Sequence, residues 1–178
     1  MRRFLAAPTV LGIIDSFGIE LMHPRREGRS DQQIGKKGKS NQRGIVGGKC
    51  CLLLNQWGEM VDWGADTANV YDAVFQPLVE AVNGRMIVLG DSHFHAKTGD
   101  PANLKVWPRG TWNTRMLVET VLSMLTTICH CKKMTPRVWT YFETHLGLLV
   151  ATFTVLIRWD GLHADETGFL PLTIAEFS

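Results

Sequence analysis

The sequence predicts an α/β fold: a mixed sheet flanked by helices. Three observations carry this. Two short apolar runs, residues 10–14 and 86–89, lead to Asp15-Ser16 and, after Gly90, to Asp91-Ser92, and so read as buried strands delivering carboxylates. Residues 49–63 read as two strands joined by the turn Asn55-Gln56-Trp57-Gly58. Two long helical patterns close the chain. Strands and helices do not alternate strictly, which favours a mixed sheet over a doubly wound parallel one.

Taken in order, residues 1–9 form a short lead-in and residues 10–14 the first strand, ended by Asp15. Residues 18–48 are rich in Gly, Lys, Arg, Ser and Gln without clear periodicity and read as a long basic loop. Strands follow at 49–55 and 59–63. Val70, Val74, Leu78 and Val82 recur at a spacing of four, one helical stripe, with Pro77 set to kink it or split it in two. Asn83-Gly84 ends that helix. Residues 86–90 are a strand, 93–99 a polar connection, 101–104 a helical turn and 104–107 a further strand. The strongest helix spans 111–133, with Met116, Leu117, Val121, Leu122, Met124, Leu125 and Ile128 on its apolar side. Pro136 separates it from a last helix over about 138–157.

A chain of 178 residues with 45% hydrophobic content suits one domain with a sizeable core. We divide it into the lead-in, a domain at 10–160 and a tail at 161–178. The net charge is only +2, yet the segment from His23 to Lys49 holds eight basic residues against two acidic, leaving −4 elsewhere. Arg25, Arg26, Arg29, Lys36, Lys37, Lys39, Arg43 and Lys49 therefore point to an anionic partner. Cys50-Cys51 and Cys129-His130-Cys131 lack zinc-finger spacing and read as buried free thiols, which fits a reducing cytoplasm. Adjacent Cys50 and Cys51 on a strand point to opposite faces. Arg2-Arg3 and the apolar residues after them resemble the start of a signal peptide, but no small-x-small cleavage site follows. The apolar run 146–157 is too short to span a bilayer and suits a core helix, so no membrane is expected.

Two Asp at strand ends, with Glu119 on a later helix, make a plausible divalent-metal site. Asp15 and Asp91 become neighbours if the strand at 86–90 lies beside the first. A competing arrangement, Asp91-x-His93-x-His95, could ligate a transition metal from a loop.

Several motifs in order resemble the catalytic domain of bacterial insertion-sequence transposases of the Asp-Asp-Glu class. Gly12-Ile13-Ile14-Asp15-Ser16 is similar to the family's first motif. Residues 43–49 and 51–60 are similar to the Gly-Lys strand and hairpin after it, and 65–72 to the linker before its helix. Val88-Leu89-Gly90-Asp91-Ser92 is similar to the second motif. Trp112-x-x-Arg115-x-x-x-Glu119 resembles the Tyr-x-x-Arg-x-x-x-Glu-x6-Lys signature around the third carboxylate. Trp112 replaces the Tyr, Thr126 stands at the basic position, and only 14 residues precede Asp15, where the family usually has a DNA-binding region.

The resemblance implies a ribonuclease-H-like fold and metal-dependent phosphodiester hydrolysis and strand transfer at element ends, on a chain that is a truncated or remnant copy. It implies Asp15, Asp91 and Glu119 as catalytic ligands of Mg²⁺, with Mn²⁺ as substitute. Asp15 would bridge two ions, with Asp91 and Glu119 holding one each. Arg115, one turn before Glu119, would orient that carboxylate or meet a phosphate, and the basic segment would track the DNA backbone. Transposon-end and target DNA are the expected partners, a homodimer on DNA follows from pairing two ends, and the setting is the cytoplasm at the nucleoid. A plain nuclease of the same fold and an inactive DNA-binding remnant are the alternatives.

Overall fold

A computed structural model describes residues 4–40, 43–106, 112–127, 129–132 and 134–159. The strands are β1 (Leu11–Met22), β2 (Lys36–Ser40), β3 (Arg43–Asn55), β4 (Met60–Thr67), β5 (Ile87–Gly90) and β6 (Leu104–Val106); the helices are α1 (Gln76–Glu80), α2 (Trp112–Thr127) and α3 (Trp139–Trp159). All six strands join one sheet in the order β2-β3-β1-β5-β6, and β4 also pairs with β3. β2 covers Arg43 to Gly47 and β4 covers Gly48 to Leu54, so the two lie end to end along one edge of β3. The β1–β3 pairing is antiparallel, while β1–β5 and β5–β6 are parallel. The mixed α/β sheet flanked by helices is therefore present.

Strand alternation divides the core in two. Ile13, Ile19 and Leu21 of β1, with Cys50, Leu52 and Leu54 of β3, face α2 and α3. Ile14, Cys51 and Leu53 face the other way, onto Phe75, Val79, Met86, Val88, Phe94 and Leu104. The two adjacent cysteines thus sit in separate layers, as alternation requires.

The helix α3 is long and apolar enough, by length and composition, to cross a membrane. Here its stripe of Phe142, Leu146, Val150, Phe153 and Ile157 is buried against the sheet, at helical spacing. The Phe142 ring fills the space over Gly48; a Cβ there would lie 2.6 Å from it, so only glycine fits beneath the ring.

Two expectations are corrected. The first strand does not end at Asp15. It continues to Met22, placing Asp15 opposite Leu52 in mid-strand. The apolar face of Ile13, Phe17, Ile19 and Leu21 overrides the stop that Asp-Ser suggests, because Phe17, Ile19 and Leu21 need the α2–α3 layer for burial. The basic segment 18–48 is also not one loop. Residues 18–22 belong to β1, Pro24–Arg26 is a 3-10 turn, and β2 pairs with an extended β3. β2, Lys-Lys-Gly-Lys-Ser, carries no apolar side chain and is a strand by virtue of its partner.

The remaining differences are at ends. β4 runs to Thr67, beyond 63. The stripe at 70–82 splits in two as expected, into the 3-10 turn Asp72–Phe75 and α1, with Pro77 in the first turn of α1. Helix α2 ends at Thr127, short of 133; His130 follows with a left-handed φ of 51°. The tail at 161–178 lies outside the described residues.

Candidate functional site

The parallel register sets the site. Leu11 pairs with Ile87, Gly12 with Val88 and Ile13 with Leu89. The paired register stops there: Asp15 lies two residues further along β1, and Asp91 follows the last residue of β5. Asp15 lies between Ile13 and Phe17, on the alternation that faces α2 and α3. Its Oδ1 accepts the backbone N–H of Ser16 at 2.8 Å. Helix α2 packs on that same layer through Leu117, Val118 and Val121, and Glu119 is exposed on it. The Arg115 side chain lies outside the described residues.

Asp91 leaves the sheet at the end of β5 and caps the 3-10 turn Ser92–Phe94. Its Oδ1 accepts the backbone N–H of His93 at 2.8 Å, and its Oδ2 lies 2.8 Å from His93 Nδ1. An ionised carboxylate only accepts, so the facing ring nitrogen carries the proton. That hydrogen bond, with the Asp91 charge behind it, raises the proton affinity of His93.

Asp72, at the start of its 3-10 turn, completes a group. Ligand atoms of Asp72, Asp91 and His93 all lie within 4.8 Å of one another, the one such group among the described residues. Asp15 and Glu119 are not members. Asp72 Oδ1 accepts from Ser16 Oγ at 2.5 Å and from Lys49 Nζ at 2.9 Å. Lys49 also donates to the Val70 carbonyl at 2.7 Å. Lys49 and Asp72 are both mostly buried. Lys49 is thus committed to an internal carboxylate, unlike the exposed Lys36, Arg25, Arg26 and Arg29. Among the other basic residues, Arg43 meets the buried Glu20 at 3.1 Å and Lys37 meets Glu27 at 3.7 Å.

His95 does not join Asp91. It bonds Asp100, whose Oδ1 also accepts from the Ala96 backbone at 2.9 Å and from Gln76 Nε2 at 2.8 Å. Gln76 Nε2 further donates to the Phe94 carbonyl at 2.8 Å. The loop 91–100 is thereby pinned to the start of α1. The Ala96 N–H, the His95 ring and Gln76 hold the Asp100 carboxyl below its usual range.

The strands that carry Asp15 and lead to Asp91 are thus adjacent, and of the Asp91-x-His93-x-His95 run only His93 meets Asp91. Asp72 was missed as a neighbour. It lies 19 residues before Asp91, and no local spacing marks it; its one signal is the position next to a helix start. No family model, no curated protein and no solved structure matches the chain.

Proposed function

We propose that the chain is the catalytic domain of a ribonuclease-H-like transposase of the Asp-Asp-Glu class, acting on DNA phosphodiesters with a divalent cation. The observation that carries this is the parallel pairing of β1 with β5, which puts the strand bearing Asp15 beside the strand that leads to Asp91. Three further features support it. The path β4-β3-β1-β5-β6 has three antiparallel strands followed by two parallel ones, as that fold requires. Glu119 lies on a helix packed over the Asp15 face. The strip from Arg25 to Arg43 is basic and largely exposed.

The donor set fits the proposed cation. Carboxylate oxygens dominate, which suits Mg²⁺, and Mn²⁺ would tolerate the nearby imidazole. Asp15, Asp91 and Glu119 would hold it. When bound, it supplies a stronger oxygen nucleophile and charge stabilisation for in-line displacement at phosphorus. The chain's own residues do the rest. Lys36, Lys39, Arg25, Arg26 and Arg29 bind phosphates and set the duplex against the site. Arg115 is assigned to Glu119 or a DNA phosphate. Lys49 neutralises Asp72, so that Asp91 does not face a second bare carboxylate. Two element ends call for two copies of the chain on DNA, in the cytoplasm at the nucleoid.

Mn²⁺ titration in the presence of duplex DNA tests this reading. The wild-type chain should bind, and Asp15→Asn and Asp91→Asn should each weaken binding about tenfold or more. Equal binding by wild type and both variants, all folded, contradicts it.

A further inference from the structure

Asp91 is about half exposed at the end of a strand, where a carboxylate ordinarily rotates freely. Here residue 93 holds both of its oxygens. The backbone N–H reaches Oδ1 and the ring Nδ1 reaches Oδ2, each at 2.8 Å. A carboxylate offers about four lone-pair directions, so two remain for a cation. The clamp is itself anchored. Phe94, the next residue, is 1% exposed, and its carbonyl receives the buried Gln76. The backbone at His93 therefore cannot drift without lifting Phe94 from the core.

We propose that His93 is a positioning residue for Asp91, presenting the carboxylate to the cation in a fixed orientation through its Nδ1–H. This rests on the metal-site reading above. The physical gain is preorganisation: a ligand held in place loses less freedom on binding, and outer hydrogen bonds to ligands are commonly worth about 10–100-fold in metal affinity. The rival role is His93 as a ligand, and the choice of ion separates the two. Imidazole suits Mn²⁺ far better than Mg²⁺, whereas orienting a carboxylate serves both ions alike.

The experiment titrates Mn²⁺ and Mg²⁺ separately into the full chain, wild type and three variants: His93→Ala, His93→Asn and Asp91→Asn. The His93 side chain is 75% exposed, so its replacement leaves the core alone, and far-UV circular dichroism checks the fold. His93→Ala should weaken both ions by a similar factor, about 10–100-fold. His93→Asn, whose amide donates from nearly the same place, should recover most of that. Asp91→Asn should lose binding whatever occupies position 93. If His93→Ala binds as wild type while Asp91→Asn does not, the positioning role is wrong and the metal site stands. If both His93 variants lose Mn²⁺ far more than Mg²⁺, His93 is a ligand and the proposal is overturned. If Asp91→Asn binds as wild type, the site itself fails and the positioning role with it.

Discussion

Lys49 meets Asp72 in a setting where water screens little: their side chains are 14% and 16% exposed. Removing one partner of such a pair strands the other charge. Lys49→Met should cost about 3 kcal/mol, read as a lower urea midpoint, and Asp72→Asn made in the same chain should restore part of the loss. An unchanged midpoint for the single variant contradicts the counter-charge role. The sequence offered Lys49 as one more member of a basic run, because charge alone does not tell a solvated lysine from one turned inward. Asp100 gives a prediction of pH dependence. Its folded value is lowered, so its contribution is present above the ordinary carboxylate value and is lost as pH falls through the lowered one. The Ala96 amide resonance should titrate with a midpoint below 3.8. A midpoint at or above that value would show that Asp100 does not hold the loop. Cys50, Cys51 and Cys131 are buried, and burial pushes the Cys131 thiol up to about 12. Native protein should accordingly give a thiol reagent no rapid reaction at those three positions.

Among the elements, α3 is seated through one buried stripe. Phe142 is fully buried, stacked obliquely on Trp139 with ring centres 5.0 Å apart. Phe142→Ala should cost about 3–5 kcal/mol in chemical denaturation, whereas exposed Leu148→Ala on the same helix should stay within about 0.5 kcal/mol. Equal effects would mean that α3 is not seated as described. The helix was legible in the sequence, as a pattern over about 138–157 with an apolar run at 146–157, because such patterns are local; which of its residues face the sheet was not read. The basic strands β2 and early β3 were not legible. An edge strand without apolar residues takes its conformation from its neighbour, and a one-dimensional reading sees only loop composition. These strands still carry the expected basic residues, Lys36, Lys37, Lys39 and Arg43 among them. Lys36→Gln with Lys39→Gln should lower the salt dependence of binding to random duplex DNA, by about 0.9 in log–log slope for each phosphate no longer neutralised. An unaltered slope would move the DNA-binding surface elsewhere.

At the scale of the whole molecule, parallel pairing of two distant strands makes the candidate site. The segments at 10–14 and 86–89 were readable as strands from composition, and their Asp-Ser endings suggested a shared role. Their adjacency was only a conditional inference, since no local signal tells which strands pair. The parallel pairing puts the strand that carries Asp15 beside the strand that leads to Asp91, while β1 runs on past Asp15. The tighter group, however, is Asp72, Asp91 and His93, and this separates two accounts of the same corner. In one, Asp91 works with Asp15 and Glu119; in the other, with Asp72 and His93 alone. The measurement that decides most directly is localised backbone cleavage by Fe²⁺ bound in place of Mg²⁺, with ascorbate and peroxide, the fragments then being sequenced. We predict cuts near residues 15, 91 and 119 that excess Mg²⁺ suppresses. Cuts confined to the neighbourhoods of 72 and 91–93, with none near 15 or 119, would contradict the three-carboxylate site.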